Sequence, residues 1–174
     1  MKVSTREIAK FGMLGAIMYL SKILMEIVPN VHLLGVFTIV FTVVYRKKAL
    51  YPIYTYVILN GFMAGFSLWW VPYLYLWTVL WAVTMILPQN MSKRTGMIVY
   101  PLVNACHGLL FGTLYATAQA LMFHMSFQAT IAWIIAGLPW DMVHGISNLL
   151  CGFLIVPLVI LLRRLENGTA NSGV

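Results

Sequence analysis

This chain alternates between apolar runs about as long as a bilayer is thick and short segments that carry nearly all of its charge. A helix needs about 20 predominantly apolar residues to cross a membrane. The runs cover 8–28, 31–45, 49–66, 70–87, 97–123 and 127–162. The second is short, and the fifth is longer than a crossing needs, which implies tilt or projection. The sixth is too long for one crossing, and Gly137-Leu138-Pro139 divides it. Proline suits a first helical turn and disfavours helix just before it. The last crossing is therefore expected over 140–162, with 127–136 as a half-helix or gate segment. The expected fold is an all-α integral membrane protein, a bundle of six transmembrane helices within 1–165 followed by a disordered polar tail over 166–174.

Composition leaves few other solvents for such a chain. Hydrophobic residues make up 61% of its 174 residues and charged residues 9%, against roughly 45–50% and 25% in soluble domains. A fold this small keeps much of its surface exposed and cannot hide that much apolar area in its own core. A soluble enzyme, a disordered regulator and a disulfide-stapled secreted domain are thereby excluded. Cys106 and Cys151 lie in apolar runs outside any CxxC pair, so no metal or redox cofactor is expected.

The basic residues report direction. Lys2, Arg6 and Lys10 precede the first run, Arg46, Lys47 and Lys48 follow the second, Lys93 and Arg94 follow the fourth, and Arg163 and Arg164 follow the sixth. Six crossings bring all of these to one side, with only Lys22 of the 11 basic residues elsewhere. The positive-inside rule makes that side, and both termini, cytoplasmic. The net charge of +7 is then topology, and no nucleic-acid partner is implied. Basic-then-apolar also describes a signal peptide, but no small-residue cleavage site follows, and Lys22 and Glu26 interrupt the run, so a retained helix is expected. The glycosylation-type triplets at Asn90 and Asn167 fall on the cytoplasmic side and are chance matches.

Polar groups inside the spans are the functional candidates, because such residues face a bundle interior or a wet cavity. Asp141, His144, Gly145, Asn148 and Gly152 recur at offsets of three and four and share one helical face. They either clamp this helix to its neighbours or line a ligand cavity open to the outside. An acid–imidazole pair alone makes no enzyme: no nucleophile, HExxH or GxSxG accompanies it. Trp69 and Tyr73 suit the membrane surface. Trp77 and Trp81 lie deeper and either pack as core or wall a pocket, and Trp133 and Trp140 add further ring faces. Glu26, Asn30, His32, Asn60 and Gln119 are the remaining outward polar groups, although Lys22 and Glu26 are spaced to neutralise each other. Asn104 and His107 near the middle of the fifth run read as satisfied packing residues. Small residues four apart let helices approach closely: Gly12 and Ala16, Gly61 and Gly65, Gly108 and Gly112. The first pair, widened by Gly15 and Ala9, sits where a partner protein can reach it.

These features together resemble the substrate-binding S components of energy-coupling factor (ECF) transporters, which capture vitamins and related micronutrients in prokaryotes. The resemblance covers nearly the whole chain: six helices, cytoplasmic termini and a length below 200 residues. The segment Gly12-Met13-Leu14-Gly15-Ala16 resembles the family's small-xxx-small motif on the first helix, with glycine where alanine is common. The stretch from Gly137 to Asp141 with His144, Gly145 and Asn148 resembles the start of the family's sixth helix. The residue sets expected of thiamine-, riboflavin-, biotin- or folate-specific members are not found.

The resemblance implies a prokaryotic plasma-membrane protein that takes a small molecule from outside. Glu26, Asn30, His32, Trp77, Trp81, Gln119, Trp133, Trp140, Asp141, His144 and Asn148 would form the substrate site. The loop after the first run and the segment before the sixth helix would gate it. Gly12, Gly15 and Ala16 would dock on a membrane coupling subunit served by two cytoplasmic ATPases, and the chain would topple to release its cargo inward. It has no GxxxxGK[ST] of its own. Stacking faces beside two outer acids, Glu26 and Asp141, suit a small planar heteroaromatic, neutral or weakly cationic. The competing reading is a six-helix cell-envelope scaffold with no ligand. A stand-alone secondary transporter would carry internal repeats, and none is evident.

Overall fold

A computed structural model describes residues 3–171, and among these every regular element is helical. The first helix, α1 (Thr5–Met25), opens on a reciprocal cap. The Ser4 hydroxyl accepts from the Glu7 amide, and the Glu7 carboxylate accepts from the Ser4 amide at 3.1 Å. Two donors that a helix start leaves open are thus satisfied.

Next comes α2 (Leu34–Tyr45), in which every residue from Leu34 to Val43 except Phe37 is buried. At 12 residues it is about 18 Å long. An apolar helix with no polar face belongs in the middle of a bundle, and α2 packs against α1, α3, α4, α5, α7 and α8. The others are α3 (Leu50–Ala64), α4 (Tyr73–Ile86), α5 (Lys93–Leu109), α6 (Phe111–Met122), α7 (Phe127–Gly152) and α8 (Ile155–Asn171). Four helical stretches are long and apolar enough to cross a membrane: Thr5–Met25, Leu68–Ile86, Lys93–Met122 and Phe127–Gly152. Large apolar side chains such as Leu24, Phe62, Ile86 and Leu121 stand on the outer surface, as lipid-facing positions require.

Three sequence expectations are corrected. Gly137-Leu138-Pro139 does not divide the last run: α7 passes through Pro139 unbroken, so 127–136 is the first half of a long helix rather than a half-helix. A proline removes one backbone hydrogen bond, which a transmembrane helix tolerates. The break falls instead at Phe153 and Leu154, and Pro157 sits in the first turn of α8, where proline is accommodated. The run over 97–123 is not one helix either, since it is interrupted at Leu110 between α5 and α6. Finally, α8 continues to Asn171, so the segment expected to be a disordered tail is helical from 166 to 171, while 172–174 lie outside the described residues.

One end of the bundle gathers most of the charge. Lys10 binds Glu166 at 2.9 Å, and the Tyr45 hydroxyl donates to the same carboxylate at 2.8 Å. Lys48 pairs with Glu7. The Arg46 guanidinium donates to the Met85 carbonyl, and that of Arg163 to the Gln89 carbonyl. The start of α1, the 46–49 turn, the end of α4 and the end of α8 therefore meet there. At the opposite end, the 26–33 segment joins α7 through the Ser147 hydroxyl, which donates to the Asn30 carbonyl at 2.8 Å.

Candidate functional site

Beneath the 26–33 segment, five rings from five different parts of the chain close a circuit. His32 meets Trp77 at 5.9 Å between centroids, and Trp77 meets His107 at 5.7 Å. His107 meets Phe111 at 6.0 Å, Phe111 meets His144 at 4.7 Å, and His144 returns to His32 at 4.7 Å. All lie within the range at which aromatic rings attract edge-to-face or offset. A contact across the circuit, Trp77 to Phe111 at 6.1 Å, draws it into a compact cluster. Trp77 is its hub, only 1% exposed, with Tyr56 of α3 set edge-on at 6.1 Å and Tyr73 at 6.3 Å.

What distinguishes this cluster from ordinary core is its unmet polarity. His32 Nδ1, His107 Nδ1, His144 Nε2, Trp77 Nε1 and the Tyr56 hydroxyl are all buried without a hydrogen-bond partner. Each such group costs about 1–3 kcal/mol relative to a satisfied one. Native interiors leave few of these, and each one asks for an explanation. Four of them surround Trp77, whose own indole N–H is the fifth.

The neighbouring polar residues hold α5, α6 and α7 together. Asn104 Nδ2 donates to the Asn148 carbonyl at 2.8 Å, and Asn148 Nδ2 donates to the Asn104 carbonyl at 3.1 Å. Asp141 Oδ1 accepts from the Gly112 amide at 3.0 Å. Glycine makes the approach possible. A Cβ on Gly108 would lie 2.9 Å from the His144 carbonyl oxygen and 3.0 Å from the Gly145 Cα. Even so, Asn104 Oδ1, Asn148 Oδ1 and Asp141 Oδ2 remain without partners.

The sequence candidates therefore separate into groups. His32, Trp77 and His144 come together in the ring cluster. Asp141 and Asn148 lie one turn to either side of His144 on α7, in the clamp. Asn30 has φ 60° and supplies the carbonyl that anchors its segment to Ser147. Glu26 is exposed and pairs with Lys22 at 3.1 Å, beside a cavity of about 170 Å³ that reaches His32.

Four candidates sit away from the cluster. The Trp81 indole donates to the Arg46 carbonyl at the charged end. Trp133 stacks on Tyr115 at 6.1 Å, and Trp140 is 61% exposed on the outer surface of α7. Gln119 is half-buried on α6, its backbone carbonyl engaged by the Phe123 amide. Of the proposed docking residues, Gly12 has open space around it. Gly15 is buried, and a Cβ there would run into Thr55 and Pro52 of α3.

The sequence reading takes His107 as a packing residue, whereas it joins the ring cluster with one ring nitrogen unpaired, and it does not single out Phe111 or Tyr56. A signal for the first two existed. Asn104, His107 and Phe111 recur at offsets of three and four on the fifth run, mirroring Asp141, His144 and Asn148 on the last. Two such stripes on consecutive antiparallel spans face each other. Among the described residues, no group of three or more His, Cys, Asp or Glu is arranged to hold a metal ion. The chain matches no family model, no curated protein and no solved structure.

Proposed function

We propose that this protein is the substrate-capture subunit of an ECF-type importer. It would take a small molecule from outside the cell into the ring cluster under the 26–33 segment. The observation that carries this reading is the set of unpaired buried polar atoms around Trp77, since a scaffold has no reason to keep them. On this reading the chain crosses the membrane six times: α1, α2, α3 and α4 each once, α5 with α6, and α7 with α8. The charged end is cytoplasmic by the positive-inside rule, which puts the ring cluster in the outer half. The 26–33 segment is the gate, with His32 as its inner face. The open patch at Gly12 and Ala16 is the contact for the coupling subunit, and the two ATPases supply the energy. The cargo is small and flat, because the cluster offers ring faces rather than charge.

A thermal-shift screen of the purified protein against a broad metabolite library tests this directly. Capture predicts that a small molecule raises the melting temperature and that His144→Ala abolishes the rise. A library with no stabilising member favours a second reading, a ligand-free envelope scaffold. The α5–α7 clamp is the feature that speaks for that alternative.

A further inference from the structure

The charged end of the bundle carries a second site, one that does not depend on the capture reading. We propose that a groove between α1 and α8 holds one phospholipid with a primary ammonium in its headgroup, of the phosphatidylethanolamine class. Its phosphate would meet Arg6 and Lys10, its ammonium Glu7 and Glu166, and one acyl chain would lie along α2. Both α1 and α8 pack on α2 but make little contact with each other. Between them lies a cavity of about 430 Å³ bordered by Arg6, Glu7, Lys10, Tyr45 and Glu166. A second, of about 180 Å³, is bordered by Ile17, Phe37, Phe41 and Leu158 and exposes no polar surface. Leu14, Leu162 and Leu165 line both, so the two form one groove.

Helical periodicity builds this groove with a polar mouth and an apolar bed. Arg6, Lys10, Leu14 and Ile17 recur at offsets of four and three and form one wall. Leu158, Leu162, Leu165 and Glu166 form the other, and Phe37, Phe41 and Tyr45 the floor. On all three helices the polar member stands at the charged end. Arg6 and Ile17 are separated by about 16 Å of helix, close to the roughly 15 Å of half a hydrocarbon core. The groove thus has the reach of one acyl chain in one leaflet. Its mouth is balanced rather than basic. Lys10 holds Glu166 and lies 4.8 Å from the Tyr45 ring centroid, and Lys48 holds Glu7. A purely anionic headgroup would meet both carboxylates at close range, whereas a zwitterion adds one charge of each sign. The existing pairs leave capacity for it, since an ammonium has three N–H donors, a guanidinium five and a carboxylate about four acceptor sites. A primary ammonium can donate to Glu7 and Glu166, and a trimethylated one cannot.

The test is native mass spectrometry of the whole chain in detergent, loaded in turn with dioleoyl phosphatidylethanolamine, phosphatidylcholine and phosphatidylglycerol. The expected result is one phosphatidylethanolamine per chain, retained under collisional activation that strips the other two. Phosphatidylcholine, which differs only in its methylated ammonium, should bind about tenfold more weakly for want of charge-assisted hydrogen bonds. Arg6→Gln should weaken phosphatidylethanolamine by about the same factor. Leu165→Trp fills the junction of the two cavities from a position that is 57% exposed, and should abolish retention. His144→Ala, in the ring cluster, should leave the lipid in place, which separates this site from capture. Should either groove variant fail to fold, the comparison of headgroups on the unaltered chain still decides. Equal retention of the three lipids, an annular lipid only, overturns the site, and so does a lipid that survives in folded Leu165→Trp. Stronger retention of phosphatidylglycerol overturns the headgroup assignment.

Discussion

Replacing Gly108 by alanine should loosen the bundle at its tightest joint. The new Cβ would lie 2.8 Å from Asn148 Nδ2, 2.9 Å from the His144 carbonyl oxygen and 3.0 Å from the Gly145 Cα. Two of those atoms are backbone, so α5 and α7 must part by about half an ångström to restore ordinary contact. The reciprocal amide bonds, at 2.8 and 3.1 Å, would stretch to the edge of hydrogen-bonding range. Overpacking costs about 1–3 kcal/mol. Two weakened interhelical bonds add about 0.6 kcal/mol each. The better helix propensity of alanine returns about 1 kcal/mol. The net loss is about 1–3 kcal/mol, or a fall in melting temperature of a few degrees to about 10 °C for a chain of this size. Gly12→Ala is the matched control, because nothing lies within 4 Å of its new Cβ. It keeps the propensity gain without the clash and should melt at or slightly above wild type. Melting in detergent followed by tryptophan fluorescence reads both. If the two variants shift the same way, the close α5–α7 approach is wrong.

Other consequences are as easily checked. On the importer reading, Gly12→Leu and Ala16→Leu should block co-purification with a coupling subunit while ligand-induced stabilisation persists, and normal assembly would rule that contact out. Deleting 166–174 should lower the melting temperature by a few degrees, because Glu166 holds Lys10 and Tyr45; a disordered tail would leave melting unchanged. With Cys106 and Cys151 replaced by serine, a membrane-impermeant thiol reagent should label Met125→Cys in intact cells and Ser4→Cys only after permeabilisation. The opposite pattern would invert the topology.

How far the sequence was readable depends on how local each determinant is. Lipid solvation is additive along the chain, so the long apolar runs announce themselves, and 8–28 corresponds closely to α1. Basic residues are costly in hydrocarbon wherever they occur, and Lys10, Arg46, Lys48 and Arg163 duly meet at one end. Prolines were harder to read. Pro139 looked like a boundary, yet Pro157 stands beside the actual break. A proline's effect depends on whether its neighbours can replace one missing bond, and a linear reading does not show that. The stripe on α7 is visible in the sequence, but only its packing against α5 and α6 separates Asp141 and Asn148, which clamp, from His144, which meets the rings. His107 reads as a lone histidine along the chain because its companions lie on four other elements. The rings of Trp81 and Trp140 are legible in the sequence but their directions are not, and helix rotation turns one toward Arg46 and the other outward.

On the capture reading, the unpaired groups around Trp77 receive a small molecule. Native mass spectrometry of the protein extracted from its own membranes in mild detergent tests this most directly. A bound species of constant mass at one per chain is expected, absent from His144→Ala and from Trp77→Ala. A wild-type spectrum of bare protein and lipid alone, unchanged after incubation with the metabolite library, would contradict it.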